Sequence, residues 1–471
     1  MATDDLTAEQ HRRLAELVAV YPVADELGRR MADSGHELYL VGGTVRDTLL
    51  HGRASGDLDF ATSAPPEETE RVLEGWADAV WLTGARFGTV SARKNDWHLE
   101  ITTFRADVYE PGSRRPEVTY GRDIEADLAR RDFTCNAMAV RLAEHRFVDP
   151  FRGLADLQAG VLRTPVDAER SFGDDPLRMV RLARFAAVLG AEPDESARKA
   201  ATVMAAQIDT ISRERIRVEL DKLVTAPEPR RGMDLLCDTG LAQRFLPELP
   251  ALRMEHDPLH HHKDVYAHTM AVVEGCPADD RILRLAALLH DIGKPATREF
   301  HPDGKVTFHH HEVVGARMAR ERMRALTYAK DDIEAVAHLV HLHLRFHGYS
   351  DQAWTDSAVR RYVRDAGDQL ARLNQLTRAD VTTRNQAKAR RLARAMDDLE
   401  QRIARLDAEE RIAQIRPPLD GNAIMAHLGL EPGPAVGRAR EMLLEARLDR
   451  GPMTEEEAYR LLDEWAAAQE R

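Results

Sequence analysis

The segment Leu38–Phe60, LYLVGGTVRDTLLHGRASGDLDF, constrains the fold more than any other. Leu38 to Val41 is a short apolar run, which predicts a buried strand. Gly42 and Gly43 follow, and Thr44 to Leu50 then carry Val45, Leu49 and Leu50 at helical spacing. Strand, glycine turn and helix start are thus predicted in sequence. Two glycines let a backbone approach a ligand closely, and the exposed amides of a helix N-terminus favour an anion. Arg46 falls in the first turn, placed to add positive charge against a phosphate. Asp57 and Asp59 come next. Residues two apart on a strand face one side, so both carboxylates project together. Beside a phosphate cradle they would repel each other unless a cation sat between them, and hard oxygen ligands suit magnesium.

Each half of this pattern recurs by chance in unrelated chains; the two halves in this order are far rarer. The spacing resembles the polymerase-beta-type nucleotidyltransferase superfamily, whose hallmark is a Gly-Gly turn followed by an Asp-x-Asp strand. A third carboxylate is offered by HLEITTFR, residues 98–105, a β-branched run predicted to be a strand. If it pairs beside Asp57 and Asp59, Glu100 joins them. Two-metal phosphoryl transfer needs such a trio, one cation for the attacking hydroxyl and one for the leaving pyrophosphate.

A chain of 471 residues is too long for one core and implies several domains. The formal net charge of −13 repels nucleic acid, so such a partner would need a local basic surface. The three cysteines lie far apart without metal-ligand spacing, as expected for a reducing, cytoplasmic setting. MATDDLTAEQ is acidic and polar, unlike a secretory signal, and no apolar run approaches a membrane span. Residues 7–34 read as amphipathic helix interrupted at Pro22. Residues 106–126, punctuated by Gly and Pro, read as a loop carrying Arg114 and Arg115.

Further along, Arg130, Arg131 and Asp132 precede an apolar segment containing Asn136. Adjacent arginines suit forked contacts to phosphate or a ribose edge. In GDDPLRMVRLARF, residues 173–185, Asp174 and Asp175 precede Pro176, as at a helix start. Asp175 and Arg178 would share a helix face. There a carboxylate could accept from an exocyclic amine, and a guanidinium could donate to a ring nitrogen or carbonyl. An ordinary cap with an intrahelical ion pair is the plainer alternative.

The segments LVGGTVRD, SGDLDF, HLEITTFR, DLARRDFTCNAMA, DPFRGLADL, GDDPLRMVRLARF and SRERIRVEL occur in the order seen in class II CCA-adding tRNA nucleotidyltransferases. Bacterial poly(A) polymerases share most of them. This resemblance covers roughly the first half of the chain. It implies an α+β fold: a head with a small mixed sheet, then all-α neck, HD and tail domains. It implies that Asp57 and Asp59 bind catalytic magnesium, with Glu100 as third carboxylate. Gly42, Gly43 and Arg46 would hold the triphosphate, and Arg130, Arg131, Asp132 and Asn136 the nucleotide sugar and phosphates. Asp175 and Arg178 would template CTP and ATP, supported by Arg181. The family carries Glu-Asp where this chain has Asp174-Asp175. The implied activity is addition of C, C and A to the tRNA 3′ end, with poly(A) synthesis as the nearest alternative.

Residues 256–350 are crowded with histidine. His268, then His290-Asp291, then Asp380 resembles the HD phosphohydrolase superfamily. His311 and His343 match the extra histidines of its two-metal members, within runs that also contain His309, His310, His338 and His341. A divalent-metal site follows from that resemblance, with hydrolysis of RNA-end phosphates as its implied chemistry. Domains are expected at 1–34 (N-terminal helices), 35–160 (head), 161–250 (neck), 251–380 (HD) and 381–471 (tail). Arg384, Lys388 and Arg391 recur at helical spacing in the tail and could follow an RNA backbone, although a solvated face is commoner.

Overall fold

The structure, a computed structural model, describes residues 12, 21–52, 57–82, 88–108, 117–120, 123–254, 264–303, 306–346, 349, 354–381, 386–410 and 416–469. The chain forms two compact units. The first comprises residues 1–219 and 231–244; the second comprises 220–230 and 245–471.

The first unit is built on a seven-stranded mixed sheet. Its strands are β1 (Leu38–Val41), β2 (Asp57–Thr62), β3 (Ala79–Trp81), β4 (Thr89–Lys94), β5 (Trp97–Thr103), β8 (Ala139–Arg141) and β9 (Arg146–Val148). Their spatial order is β3-β4-β5-β2-β1-β8-β9. Only β2 and β5 run parallel; every other pair is antiparallel. Alternation sets the faces. Leu58 and Phe60 of β2 and Leu99 and Ile101 of β5 enter the larger core, with Leu38, Leu40 and Val140. That core is closed by the helix Pro22–Asp33 through Val23, Ala24, Leu27 and Met31. A one-residue slip in β2 would exchange these apolar side chains for carboxylates, so burial pins the register. On the opposite face, Tyr39, Val41, Ala61 and Ala139 pack with Phe104, Ile124 and Leu128.

Part of the span read as a loop from 106 to 126 is a two-stranded antiparallel ribbon instead. Its strands are β6 (Arg105–Val108) and β7 (Glu117–Tyr120), and the helix Ile124–Ala129 follows. Glu117-Val118-Thr119-Tyr120 has the β-branched and aromatic content of a strand, which its polar surroundings mask. Arg114 and Arg115 lie outside the described residues, as do residues 7–11 and 13–20 of the N-terminal amphipathic stretch.

Among the described residues, the regular structure of the second unit is helical apart from the short antiparallel pair Glu299–Phe300 and Val306–Thr307. The helices Val265–Gly275, Arg281–Leu289, His311–Ala325, Lys330–Leu342 and Leu370–Asp380 surround the histidine cluster. Gly293 is needed where the chain leaves the second of these. A Cβ there would lie 2.2 Å from the carbonyl oxygen of His311 and 2.8 Å from the amide of Gly315. The helices Gly421–Leu428, Pro434–Arg450 and Glu455–Gln469 share a separate core of Ile424, Ala439, Leu443 and Leu462.

Candidate active site and candidate metal centre

In the first unit the parallel register sets Asp59 directly opposite Glu100, and Asp57 opposite His98. Both Asp59 and Glu100 are exposed while their neighbours Leu58 and Leu99 are fully buried. The two carboxylates therefore stand on one sheet face. Gly42 turns the chain beside them at φ 74°, a backbone conformation that side chains disfavour. A Cβ on Gly42 would sit 3.2 Å from Nη1 of Arg131 and 3.8 Å from Oδ2 of Asp59. The absent side chain thus leaves a cradle between a guanidinium and a carboxylate, with the helix Gly43–His51 opening at its edge. Acidic oxygens beside a helix N-terminus suit divalent metal held with a polyphosphate.

From that turn a chain of polar contacts leads inward. Nη1 of buried Arg46 donates to Oδ1 of Asn136 at 2.6 Å, and its Nε donates to Asp47 at 2.7 Å. Nδ2 of Asn136 donates to Oδ1 of Asp132 at 2.9 Å. Nε of Arg181 donates to Oδ2 of Asp132 at 2.9 Å. Arg181 and Arg184 then share buried Glu219, at 3.4 and 3.1 Å. The Phe185 ring lies under three guanidiniums: Arg184 at 4.0 Å, Arg46 at 5.2 Å and Arg181 at 5.6 Å from its centroid. Burial alone would raise the Asp132 carboxyl. The Arg181 guanidinium, with the donated hydrogen bonds of Asn136 and the Phe133 amide, holds it below its usual range. Burial pushes Arg184 down to about 10, against the pull of Glu219.

Arg131 pairs with Asp127 at 3.3 Å, and Arg130 approaches the same carboxylate at 3.9 Å. The shared helix face expected for Asp175 and Arg178 does not form. Asp175 is extended, with φ −147° and ψ 100°, and precedes the helix Leu177–Leu189. Pro176 begins the turn, so Asp175 acts like a cap: its Oδ1 accepts from the Leu177 amide at 3.1 Å. Its Oδ2 accepts from Arg215 at 2.8 Å. Arg178 donates to the Ser171 hydroxyl at 2.8 Å and to the Arg130 carbonyl. Sequence reasoning missed Glu219, Arg184, Phe185 and Arg215 as parts of this network. The first and last lie in the quoted SRERIRVEL, and Arg184 is three residues beyond Arg181, so helical spacing was the available signal.

In the second unit all six histidine-cluster residues assemble. His268, His290 and Asp380 form one triad of ligand atoms, and Asp291, His311 and His343 form another. Asp291 joins them. Its Oδ2 lies 3.2 Å from His290 Nε2 and 3.5 Å from His268 Nε2. Its Oδ1 lies 3.3 Å from His311 Nε2 and 3.9 Å from His343 Nε2. Asp380 Oδ1 is 3.0 Å from His268 Nε2.

Three of the imidazoles are aimed by their own backbone. Nδ1–H of His290, His311 and His343 donates to the carbonyl three residues earlier: Ala287 at 2.8 Å, Phe308 at 2.7 Å and Val340 at 2.6 Å. That bond fixes the tautomer that leaves the Nε2 lone pair facing the cluster. Among the described residues, Asp291 Oδ1, His311 Nε2 and His343 Nε2 are buried without a hydrogen-bond partner. Buried acceptors left unmade are costly, and divalent cations would satisfy all three. Burial pushes His343 down to about 3, aided by the charge on His290, so its imidazole is neutral. Burial opposes ionisation of Asp291, but His290 and Lys294 hold it well below the usual carboxylate range. Lys294 donates to Asp291 Oδ2 at 2.6 Å. His309, His310 and His341 are exposed, and His338 contacts the Asp365 carbonyl at 2.7 Å.

In the tail, Lys388 and Arg391 are exposed on the helix Gln386–Glu410, and Arg384 lies outside the described residues. No helix among the described residues is long and apolar enough to cross a membrane.

Three family models match. Residues 38–163 match the Poly A polymerase head domain, 191–252 a probable RNA- and SrmB-binding site of polymerase A, and 259–412 the HD domain. The chain is 34% identical to an A-adding tRNA nucleotidyltransferase of Deinococcus radiodurans, over 91% of this chain and 95% of that protein. It is 39% identical to a CCA-adding enzyme of Leuconostoc mesenteroides, over 52% of this chain and 58% of that one. Among solved structures, the Bacillus stearothermophilus CCA-adding enzyme in complex with CTP superposes with a TM-score of 0.70 at 25% identity. That match covers 96% of this chain and 98% of the other. The Thermotoga maritima CCA-adding enzyme complexed with tRNA shares the fold at 20% identity and a TM-score of 0.60, covering 97% of this chain and 98% of that one.

Proposed function

The chain belongs to the family of tRNA nucleotidyltransferases and bacterial poly(A) polymerases, and from that premise we infer that it adds C, C and A to the 3′ end of tRNA from CTP and ATP, without a nucleic-acid template. The observation that carries this reading is the Asp59–Glu100 pair on one sheet face, beside the Gly42 turn. Asp57, Asp59 and Glu100 would hold two magnesium ions. Those ions, when bound, supply activation of the RNA 3′ hydroxyl and neutralisation of the departing pyrophosphate.

The chain's own residues bind and orient. Gly42 and Gly43 leave room for a triphosphate at the helix start, and Arg46 and Arg131 bring guanidiniums to it. Asp132 and Asn136 face the sugar from a network already locked by Arg46 and Arg181, so little reorganisation accompanies binding. Arg130 belongs to the same phosphate and sugar set. Asp175 and Arg178 select the base: the carboxylate accepts the exocyclic amine shared by C and A, and the guanidinium donates to the ring edge. Arg181 holds that helix through Asp132. To meet a base, Asp175 must leave Arg215 and Arg178 must leave Ser171.

A second reading, addition of A alone to tRNA already ending in CC, is favoured by the near full-length likeness to the A-adding enzyme; the CCA-adding protein aligns over 58% of its length. Incorporation from each labelled NTP into tRNAs lacking CCA, ending in C and ending in CC separates the readings. Ordered C, C, A addition with termination is expected. A alone on the CC-ending tRNA would establish the second reading, and runs of A on any RNA would indicate a poly(A) polymerase.

We also assign a two-cation centre to His268, His290, Asp291, His311, His343 and Asp380, with hydrolysis of RNA-end phosphates as its chemistry. The buried acceptors of the second triad support it. Phosphate release from RNA carrying a 3′ or 2′,3′-cyclic phosphate, dependent on added divalent metal and lost on chelation, is the expected result.

A further inference from the structure

The sheet face that carries Asp59 and Glu100 does not end with them. Glu100 lies opposite Ser91 of β4, and Ser91 lies opposite Trp81 of β3. Two residues along each strand, Asp57, His98, Arg93 and Ala79 form a second row across the same four strands. Directly paired residues share a face, and so do residues two apart on a strand. Trp81, His98, Arg93 and Glu100 are therefore neighbours on one side of the sheet, and all four are exposed. The Trp81 indole is 41% exposed, and Leu82 beside it is 44% exposed. The indole stacks on the His98 imidazole, with centroids 5.9 Å apart and planes at 15°. Trp81 thus stands on the edge strand as part of a flat aromatic pair, away from the core that holds Trp76.

We propose that this face, from Asp59 to Trp81, is a stacking platform for the single-stranded 3′ end of the RNA substrate. This rests on the transferase reading above. The RNA 3′ hydroxyl must arrive at the carboxylates. Three strand spacings, about 14 Å in all, separate β2 from β3. A short run of unpaired nucleotides leading to the reacting hydroxyl covers that span. Any base can stack on an indole, so the platform tolerates the changing 3′ sequence as nucleotides are added. Arg93, in the neighbouring row beside His98, supplies a cation for the backbone phosphate. The incoming nucleotide uses the Gly42 turn on the other side of β2, so the two substrates would approach the carboxylates from opposite directions.

The test uses the full-length protein and compares wild type, W81F and W81A. Stacking of a base on Trp81 changes indole fluorescence, so titration with tRNA lacking CCA should give a change that W81F largely loses. The KM for that tRNA should rise about tenfold in W81A and return to within about twofold of wild type in W81F, while the KM for CTP stays in place. Unchanged tRNA KM in W81A, or a fluorescence change surviving in W81F, would overturn the platform. A rise in the CTP KM equal to that for tRNA would also overturn it, by assigning the indole to the nucleotide. Failure of the wild-type protein to add any nucleotide to tRNA would instead defeat the transferase reading.

Discussion

Asp59 and Asp132 are both carboxylates of the first unit, and their surroundings give them different tasks. Asp59 is exposed on the sheet, where it can meet a cation; Asp132 is buried and committed to Arg181 and Asn136. Asp59→Ala should therefore lower transfer by about 10³-fold or more while leaving tRNA affinity within about twofold. Rapid-quench incorporation and filter binding on one preparation would check this, and substantial residual transfer would remove Asp59 from the metal set. Asp132→Asn should act on stability as well, because it breaks a buried charge pair. The loss should be about 2–3 kcal/mol, near the low end for such pairs, since Arg181 is 31% exposed. The pH dependence follows from the direction of the shift. A carboxyl lowered in the folded state contributes fully above its unfolded value of about 3.9, and the contribution is lost as pH falls through the lower folded value. Wild type should thus lose more stability than Asp132→Asn between pH 5 and pH 2. Parallel urea midpoints across that range would show that Asp132 is not held by its pair.

At the scale of elements, the parts readable from the sequence were those coded locally. The β1–turn–helix unit followed from apolar run, glycines and helical spacing within 14 residues, Leu38 to His51. The β2–β5 pairing was stated from the residues only as a condition and was otherwise implied by the resemblance, because it brings Glu100 to Asp59 across 41 positions and depends on which faces the core accepts. The β6–β7 ribbon was missed because Gly and Pro between its strands resemble an unstructured loop. Asp175 was read as sharing a helix face with Arg178 but stands just outside the helix as a cap, since a proline sets where a helix begins and also removes the residue before it from the helical region. The histidine cluster was legible in its members but not in what aims them: the Nδ1 bonds to backbone carbonyls require knowing where each helix ends. Gly293→Ala would drive a Cβ into the His311 carbonyl, shifting the helix that starts there. Stability should fall by about 1–3 kcal/mol and affinity for divalent metal by about 10–100-fold, read by thermal unfolding and calorimetric titration. Metal content should be about two ions per chain in wild type, about one in His343→Ala and none in Asp291→Ala. One ion in Asp291→Ala would show that this aspartate does not bridge the triads.

At the scale of the molecule, each candidate site is enclosed within one compact unit. Asp59, Glu100, Asp132, Arg178 and Glu219 all belong to the first, and the six histidine-cluster residues all belong to the second. No residue is shared between the two sets, so each site draws its geometry from its own core. Substitutions without shared partners combine additively to within a few tenths of a kcal/mol. Asp59→Ala should accordingly abolish nucleotide addition and leave the metal-dependent release of phosphate from RNA ends unchanged. Asp291→Ala should do the reverse, and the double variant should show both losses and no third effect on tRNA affinity. The two activities also have a chemical order. A 3′ phosphate or cyclic phosphate blocks the hydroxyl that a transferase must use, so hydrolysis in the second unit would prepare ends for the first. On tRNA ending in a cyclic phosphate, wild type should release phosphate and then incorporate label, whereas Asp291→Ala should incorporate none until the end is repaired enzymatically. Equal incorporation by both proteins on that blocked tRNA would show that the histidine centre does not serve the transferase, even if its metal ions are present.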